Sequence, residues 1–236
     1  GVQTCALPIL GTISSFNDAG SIGACMELIG FETRDAASVA AAEFIASVTQ
    51  SSLAHASEVI IALGGGTSPR QSLTHLGGMD LPWDRVWVTV TDERQVPRDH
   101  EASNYRLLSE TLFLGSANQD RFLALEDGNF QARSNLPLIP LLGMGEDGHF
   151  ASIFPDASAL DTLLDAEGES WVKPVSTSAS PFPRVTLTMK SLSRCVCAGL
   201  LVFGDAKKAI LENPGNFPVG ALIGQLGSRL KVFWSP

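Results

Sequence analysis

In the stretch "GMGEDGHFASIFP", Gly143 to Pro155, glycines surround a carboxylate and an imidazole, Asp147 and His149. An imidazole ordinarily titrates near pH ~6.5, so it can take a proton from water at neutral pH, and a nearby carboxylate can orient it. His149 is therefore a candidate general base, with Asp147 as its partner. A second stretch, "GGGTSPR", suits an anion. Its glycines allow close backbone approach, a helix start adds partial positive charge, and Thr67 and Ser68 bring hydroxyls. It is neither a Walker loop nor a G-x-G-x-x-G fingerprint, so Gly65, Gly66 and Thr67 are candidate anion ligands of a less specific kind. A third, "TDERQVP", sets Asp92, Glu93 and Arg94 just beyond an expected strand. Arg184 opens "RVTLT", and Lys207 lies near a helix start, where a bound anion would offset an unfavourable dipole. Each group has an ordinary alternative: a tight turn, a self-paired charge cluster, a surface cation.

The elements around these groups favour a shared site. Alanine-rich "DAASVAAAEFIASVTQ" predicts an amphipathic helix, with Val39, Ala42 and Ile45 at helical spacing. "VIIAL" is a short continuous apolar run, as in a strand covered on both faces, and it ends at three glycines. A helix follows, with Ser68 as expected N-cap and Pro69 at its first position. "VWVTVT" predicts another strand. "SNYRLLSETLF" predicts a helix capped by Ser103, with Tyr105, Leu108 and Leu112 on one face. "LPLIPLLGMG" reads as a strand weakened by Pro140, and "RVTLT", "VCAGLLVF" and "LKVFW" read as later strands, with "DAKKAILEN" helical. Strand, polar cluster, helix is the rhythm of an α/β fold: a largely parallel sheet flanked by helices, Rossmann-like. In such folds ligands collect at the carboxyl ends of strands, where the polar clusters "GGGTS", "DERQVP", "GMGEDGH" and "GDAKK" fall.

The 236 residues carry 16 Lys and Arg against 25 Asp and Glu, a net charge of −9 with no basic stripe. That argues against nucleic acid as a partner but leaves room for a small anion held by a few placed cations. No stretch is apolar enough to span a membrane, no signal peptide is evident, and the four cysteines match no zinc spacing. Reduced thiols and a cytoplasmic location are expected, with no metal.

Six segments in order carry a resemblance: "LGGGTSPR", "VTDERQVPRDHEASNYRLL", "LLGMGEDGHFASIFP", "PRVTLTMKSL", "VFGDAKKAIL" and "FPVGALIGQLGSRLKVFW". With these the chain resembles the 6-phosphogluconolactonase family, in the sugar-phosphate isomerase/deaminase-like superfamily. The resemblance implies hydrolysis of 6-phospho-D-glucono-1,5-lactone in the oxidative pentose phosphate pathway, without cofactor, by a monomer or small homo-oligomer. It implies His149 as general base, Asp147 as its orienting partner, and Arg94 near the sugar. Gly65, Gly66, Thr67, Arg184 and Lys207 would hold the phosphate. A glucosamine-6-phosphate deaminase is the nearest alternative, but its loop continues from "DGH" into an acidic segment ending Asn-Glu-Pro, whereas here it continues "FASIFP". A non-catalytic sugar-phosphate sensor or an inactive pseudoenzyme are further alternatives. Residues 1–9, "GVQTCALPI", look like a translated sequencing adapter, and 10–32 an N-terminal extension. Residues 33–236 are expected as one lactonase-like domain, shortened near 126–140 where the family carries a helix.

Overall fold

The computed structural model describes residues 12–14, 26–126 and 128–236. The adapter-like residues 1–9, Cys5 and Cys25 lie outside them. Among the described residues, ten strands and eight α-helices follow one another, with most strands leading into helices. In order they are β1 (Thr12–Ser14), β2 (Glu27–Gly30), α1 (Arg34–Leu53), β3 (Val59–Leu63), α2 (Arg70–Gly77), β4 (Val86–Val90), β5 (Asp92–Arg94), α3 (Asn104–Ser109) and α4 (Asn129–Ala132). Then come β6 (Leu138–Gly143), α5 (Leu160–Leu164), β7 (Val172–Val175), β8 (Arg184–Leu187), α6 (Met189–Ser193), β9 (Ala198–Phe203), α7 (Asp205–Glu212), α8 (Pro218–Leu226) and β10 (Leu230–Ser235).

Seven strands form the main sheet in the order β1-β2-β10-β9-β6-β3-β4, parallel except for β1. β2 falls within the stretch read from sequence as an extension, yet it pairs in parallel with β10 as part of the sheet. The apolar run Val59–Leu63 is buried throughout, as a strand between two neighbours must be. From β3 the chain crosses to β4 on one side, and from β6 it goes on to β9 on the other. The loops leaving β3 and β6 therefore diverge, which opens a crevice between them at the carboxyl edge.

Several local expectations need correction. α1 is not amphipathic: Ala40, Phe44, Ile45, Ala42 and Ala46, spread around most of its circumference, are buried, because it lies across β10, β9, β6 and β3 and also against α2. Ser68 does not cap α2; Pro69 occupies that position, and no side chain caps the helix. Leu112 belongs to a separate helical turn, since α3 ends at Ser109. "DER" is not loop beyond a strand but a strand itself, β5, in a second sheet of order β5-β8-β7 with antiparallel pairing. Ser103 does cap α3, its hydroxyl accepting from Arg106 N.

Pro140 sits in an interior strand without breaking it. Its partner on β3 is Ala62, while the ladder to β9 begins one residue later, at Leu141↔Gly199. The missing N–H thus falls where that ladder has not begun. In the segment read as shortened, α4 is a single turn whose Phe130 is buried, and β6 follows it into place between β3 and β9.

Candidate active site

At the carboxyl edge a cavity of about 540 Å³ opens between the β3 and β6 loops. All eight residues singled out from the sequence line it: Gly65, Gly66, Thr67, Arg94, Asp147, His149, Arg184 and Lys207. Parallel strands explain the convergence, since β3, β6 and β9 deliver their following loops to one edge, and β5 and β8 close the cleft from the side.

The β6 loop is a compact hairpin. Gly145 N donates to His149 O at 2.9 Å, and Gly148 turns the chain in the left-handed region at φ 70°. Inside this turn His149 Nδ1 lies 2.5 Å from Asp147 Oδ1, and His149 N donates to the same oxygen at 3.2 Å. A carboxylate only accepts, so Nδ1 carries a proton, and in the neutral ring Nε2 holds the lone pair. Phe154 packs against the imidazole, the ring centroids 4.2 Å apart and the planes tilted by 33°. Gly145 makes room for the pair, because a Cβ there would overlap the His149 ring and crowd Asp147. With His149 as candidate base, Gly145→Ala is therefore expected to lower kcat about 100-fold with little change in KM, by displacing the ring. Steady-state kinetics of the folded variant check it, and an unchanged kcat would show that the ring position does not matter.

The β3 loop supplies donors. Within the described residues the N–H groups of Gly65, Gly66 and Thr67 make no hydrogen bond, and Gly66 holds φ at 91° with open space beside it. Unpaired N–H groups lining a cavity before a helix suit an anion.

Strand alternation orders the rest. Asp92 and Arg94 lie on one face of β5, opposite Thr186 and Arg184 of β8, while Glu93 points the other way toward α3. Asp92, almost fully buried, takes hydrogen bonds from Thr91 Oγ1 at 3.1 Å, Ser152 Oγ at 2.5 Å and Arg184 Nη1 at 3.2 Å. Arg184 also donates to Ser180 and lies over the Phe154 ring at 5.2 Å. Burial lowers the Arg184 pKa and the neighbouring Arg94 adds to this, while Asp92 opposes both. Asp156 pins the segment carrying Ser180: hydrogen bonds from the Ser178 and Thr177 hydroxyls and from Ser178 N pull its carboxyl from 3.8 to about 2. Glu93 accepts from the N–H groups of Arg94, Asn104 and Tyr105, so it anchors the first turn of α3; burial raises its pKa, and those donors pull the other way. Lys207 Nζ donates to Met144 O at 2.7 Å, tying α7 to the β6 loop and leaving further donors on the ammonium.

Sequence reading did not single out Asn104, Ser152 or Phe154, and it treated Asp92 only as part of a charge cluster. Asn104 and Ser152 act on β5 residues from α3 and from the β6 loop, and Phe154 meets His149 only through the fold of that loop, contacts without a local signal. Among the described residues no cluster of three or more His, Cys, Asp or Glu is set to hold a metal, and no helix is long and apolar enough to cross a membrane. Cys195 is buried, which pushes its thiol up to about 12, and it lies outside the cleft.

Fold and cleft together define a class: an α/β protein whose strand ends set a glycine loop of unpaired N–H groups and three cations around a His–Asp pair. A profile of the family described as Glucosamine-6-phosphate isomerases/6-phosphogluconolactonase matches residues 32–216. A 6-phosphogluconolactonase from Caulobacter vibrioides is 33% identical over 226 residues, covering 89% of this chain and 97% of the relative. One from Mesorhizobium japonicum is 32% identical over 234 residues, covering 91% and 97%. The crystal structure of a 6-phosphogluconolactonase from Shewanella baltica shares the fold, with a TM-score of 0.80 at 24% identity over 89% of this chain and 97% of that one. The chain belongs to this family, on its 6-phosphogluconolactonase side.

Proposed function

We propose that the chain hydrolyses 6-phospho-D-glucono-1,5-lactone to 6-phospho-D-gluconate, the lactonase step of the oxidative pentose phosphate pathway. The observation that carries the mechanism is the 2.5 Å contact of His149 Nδ1 with Asp147 in the same cavity as the β3 loop and Arg94, Arg184 and Lys207. The phosphate would lie among Gly65, Gly66, Thr67 and these cations, which places the ring ester toward His149 and turns a bimolecular attack into a local one. His149 Nε2 takes a proton as water oxygen bonds to the lactone carbonyl carbon. The ring C–O bond then breaks, and the imidazolium returns the proton to the departing ring oxygen. Asp147 holds the tautomer that leaves Nε2 basic and faces the positive charge that forms.

"FASIFP" supports lactone hydrolysis over deamination. Where a deaminase would place an acidic segment, this chain places Ser152 against Asp92 and Phe154 against His149. The net charge of −9 and the few placed cations suit a small phosphorylated sugar in the cytoplasm rather than nucleic acid or membrane. The test is disappearance of the lactone, corrected for its spontaneous hydrolysis, run beside ammonia release from glucosamine 6-phosphate. Enzyme-dependent lactone loss without ammonia is expected. Ammonia release without lactone loss would overturn the reading.

A further inference from the structure

Three cations reach the cleft, and their partners differ. Arg184 is paired with the buried carboxylate of Asp92, and Lys207 is bonded to a loop carbonyl. Arg94 has no carboxylate within ion-pair distance among the described residues. Its Nη1 donates instead to two neutral oxygens, Asn104 Oδ1 at 2.5 Å and Ala102 O at 3.2 Å. Arg94 is thus a half-buried guanidinium, fixed in direction, next to a second arginine across the sheet, with no carboxylate paired to it among the described residues.

Asn104 is itself fully fixed. It is 2% exposed, its Nδ2 donates to Asp92 O at 2.6 Å, and its backbone N donates to Glu93 Oε1 at 2.8 Å. A guanidinium only donates and a carbonyl only accepts, so just one orientation of the amide satisfies both neighbours. The β3 loop packs against this side chain: a Cβ on Gly65 would overlap the Asn104 amide. An aspartate here would also accept from Arg94, but it would neutralise the charge and set an acceptor against Asp92 O.

From these contacts we infer that Asn104 is a positioning residue that holds Arg94 toward the substrate's anionic group while leaving its positive charge unspent. This rests on the lactonase reading of the site. It assigns ground-state anion binding to the Asn104–Arg94 unit, so the unit acts on KM and on product affinity, and little on kcat.

A double-mutant cycle tests it, using lactone KM and competitive inhibition by 6-phosphogluconate. Asn104→Ala is expected to raise both constants about 10-fold in the wild-type background, the effect of losing a hydrogen bond to a charged group. In the Arg94→Ala background the same change should alter them less than about 2-fold, because the residue acts through Arg94. Asn104→Asp keeps the shape and should raise both constants similarly while leaving kcat within a few-fold. It serves as the second arm if Asn104→Ala unfolds. An equal loss in both backgrounds, or an unchanged KM in Asn104→Asp, overturns the inference. A wild-type protein without lactonase activity would instead overturn the functional reading. The cycle would then be read in the affinity for inorganic phosphate, with the same criterion of non-additivity.

Discussion

Replacing His149 with alanine is expected to lower kcat for the lactone by about 10²- to 10⁴-fold, the range of general-base contributions, with KM changed only a few-fold. The imidazole reaches the cavity from a loop whose shape does not depend on it: the turn is held by Gly145 N to His149 O, Val219 N to Gly148 O and the bridges Met144↔Phe150 and Phe150↔Ile153. Removing the ring therefore takes away the base and its packing against Phe154 while the backbone keeps its path. His149→Asn would supply a hydrogen-bonding group of smaller size without a usable proton acceptor, and should be nearly as slow. The measurement must subtract spontaneous hydrolysis, since the lactone opens without an enzyme. Wild-type and alanine rates that agree after this correction would remove His149 from the mechanism.

The second large effect is on stability. Asp92→Ala should cost about 3–5 kcal/mol, because it leaves Arg184 buried without its counter-charge. The Arg184 side chain is 12% exposed and the Asp92 side chain 7%, so water from the cleft replaces the lost carboxylate only in part. The same change strands the Ser152 and Thr91 hydroxyls, which both donate to Asp92, and removes the main charge that offsets the repulsion between Arg184 and Arg94. Denaturant unfolding of the two proteins measures the difference. Asp92→Ala combined with Arg184→Met should recover part of the loss, since the stranded charge is then gone. A loss below about 1 kcal/mol would mean that the pair behaves as a solvated surface bridge.

These residues also mark how far the sequence can be read. β3, β4, β6, β9 and β10 were legible as apolar or β-branched runs, and α1, α3 and α7 as helices, because those signals lie within a few residues of each other. The polar clusters were legible for the same reason: each interrupts an apolar run with glycine or charge at a strand's end. His149 and Asp147 are two positions apart, so their contact follows from one tight turn. Arg94 and Arg184 were visible as candidates, but their direct opposition across β5 and β8 was not, since it depends on an antiparallel register between segments ninety residues apart. The misreading of α1 as amphipathic has a related cause. Its alanine-rich surface packs close on several strands and on α2, which no periodicity within the helix reveals.

By itself, then, the chain determined its α/β class, its strand-end clusters and the His149–Asp147 pair, because local patterning and short-range turns specify these. Only the tertiary structure decided that Asp92 neutralises Arg184, that Phe154 backs the imidazole, and that Asn104 fixes Arg94 beside the β3 loop. Sheet register and the divergence of the β3 and β6 loops bring these groups together, and both are set by long-range packing rather than by any local run of residues.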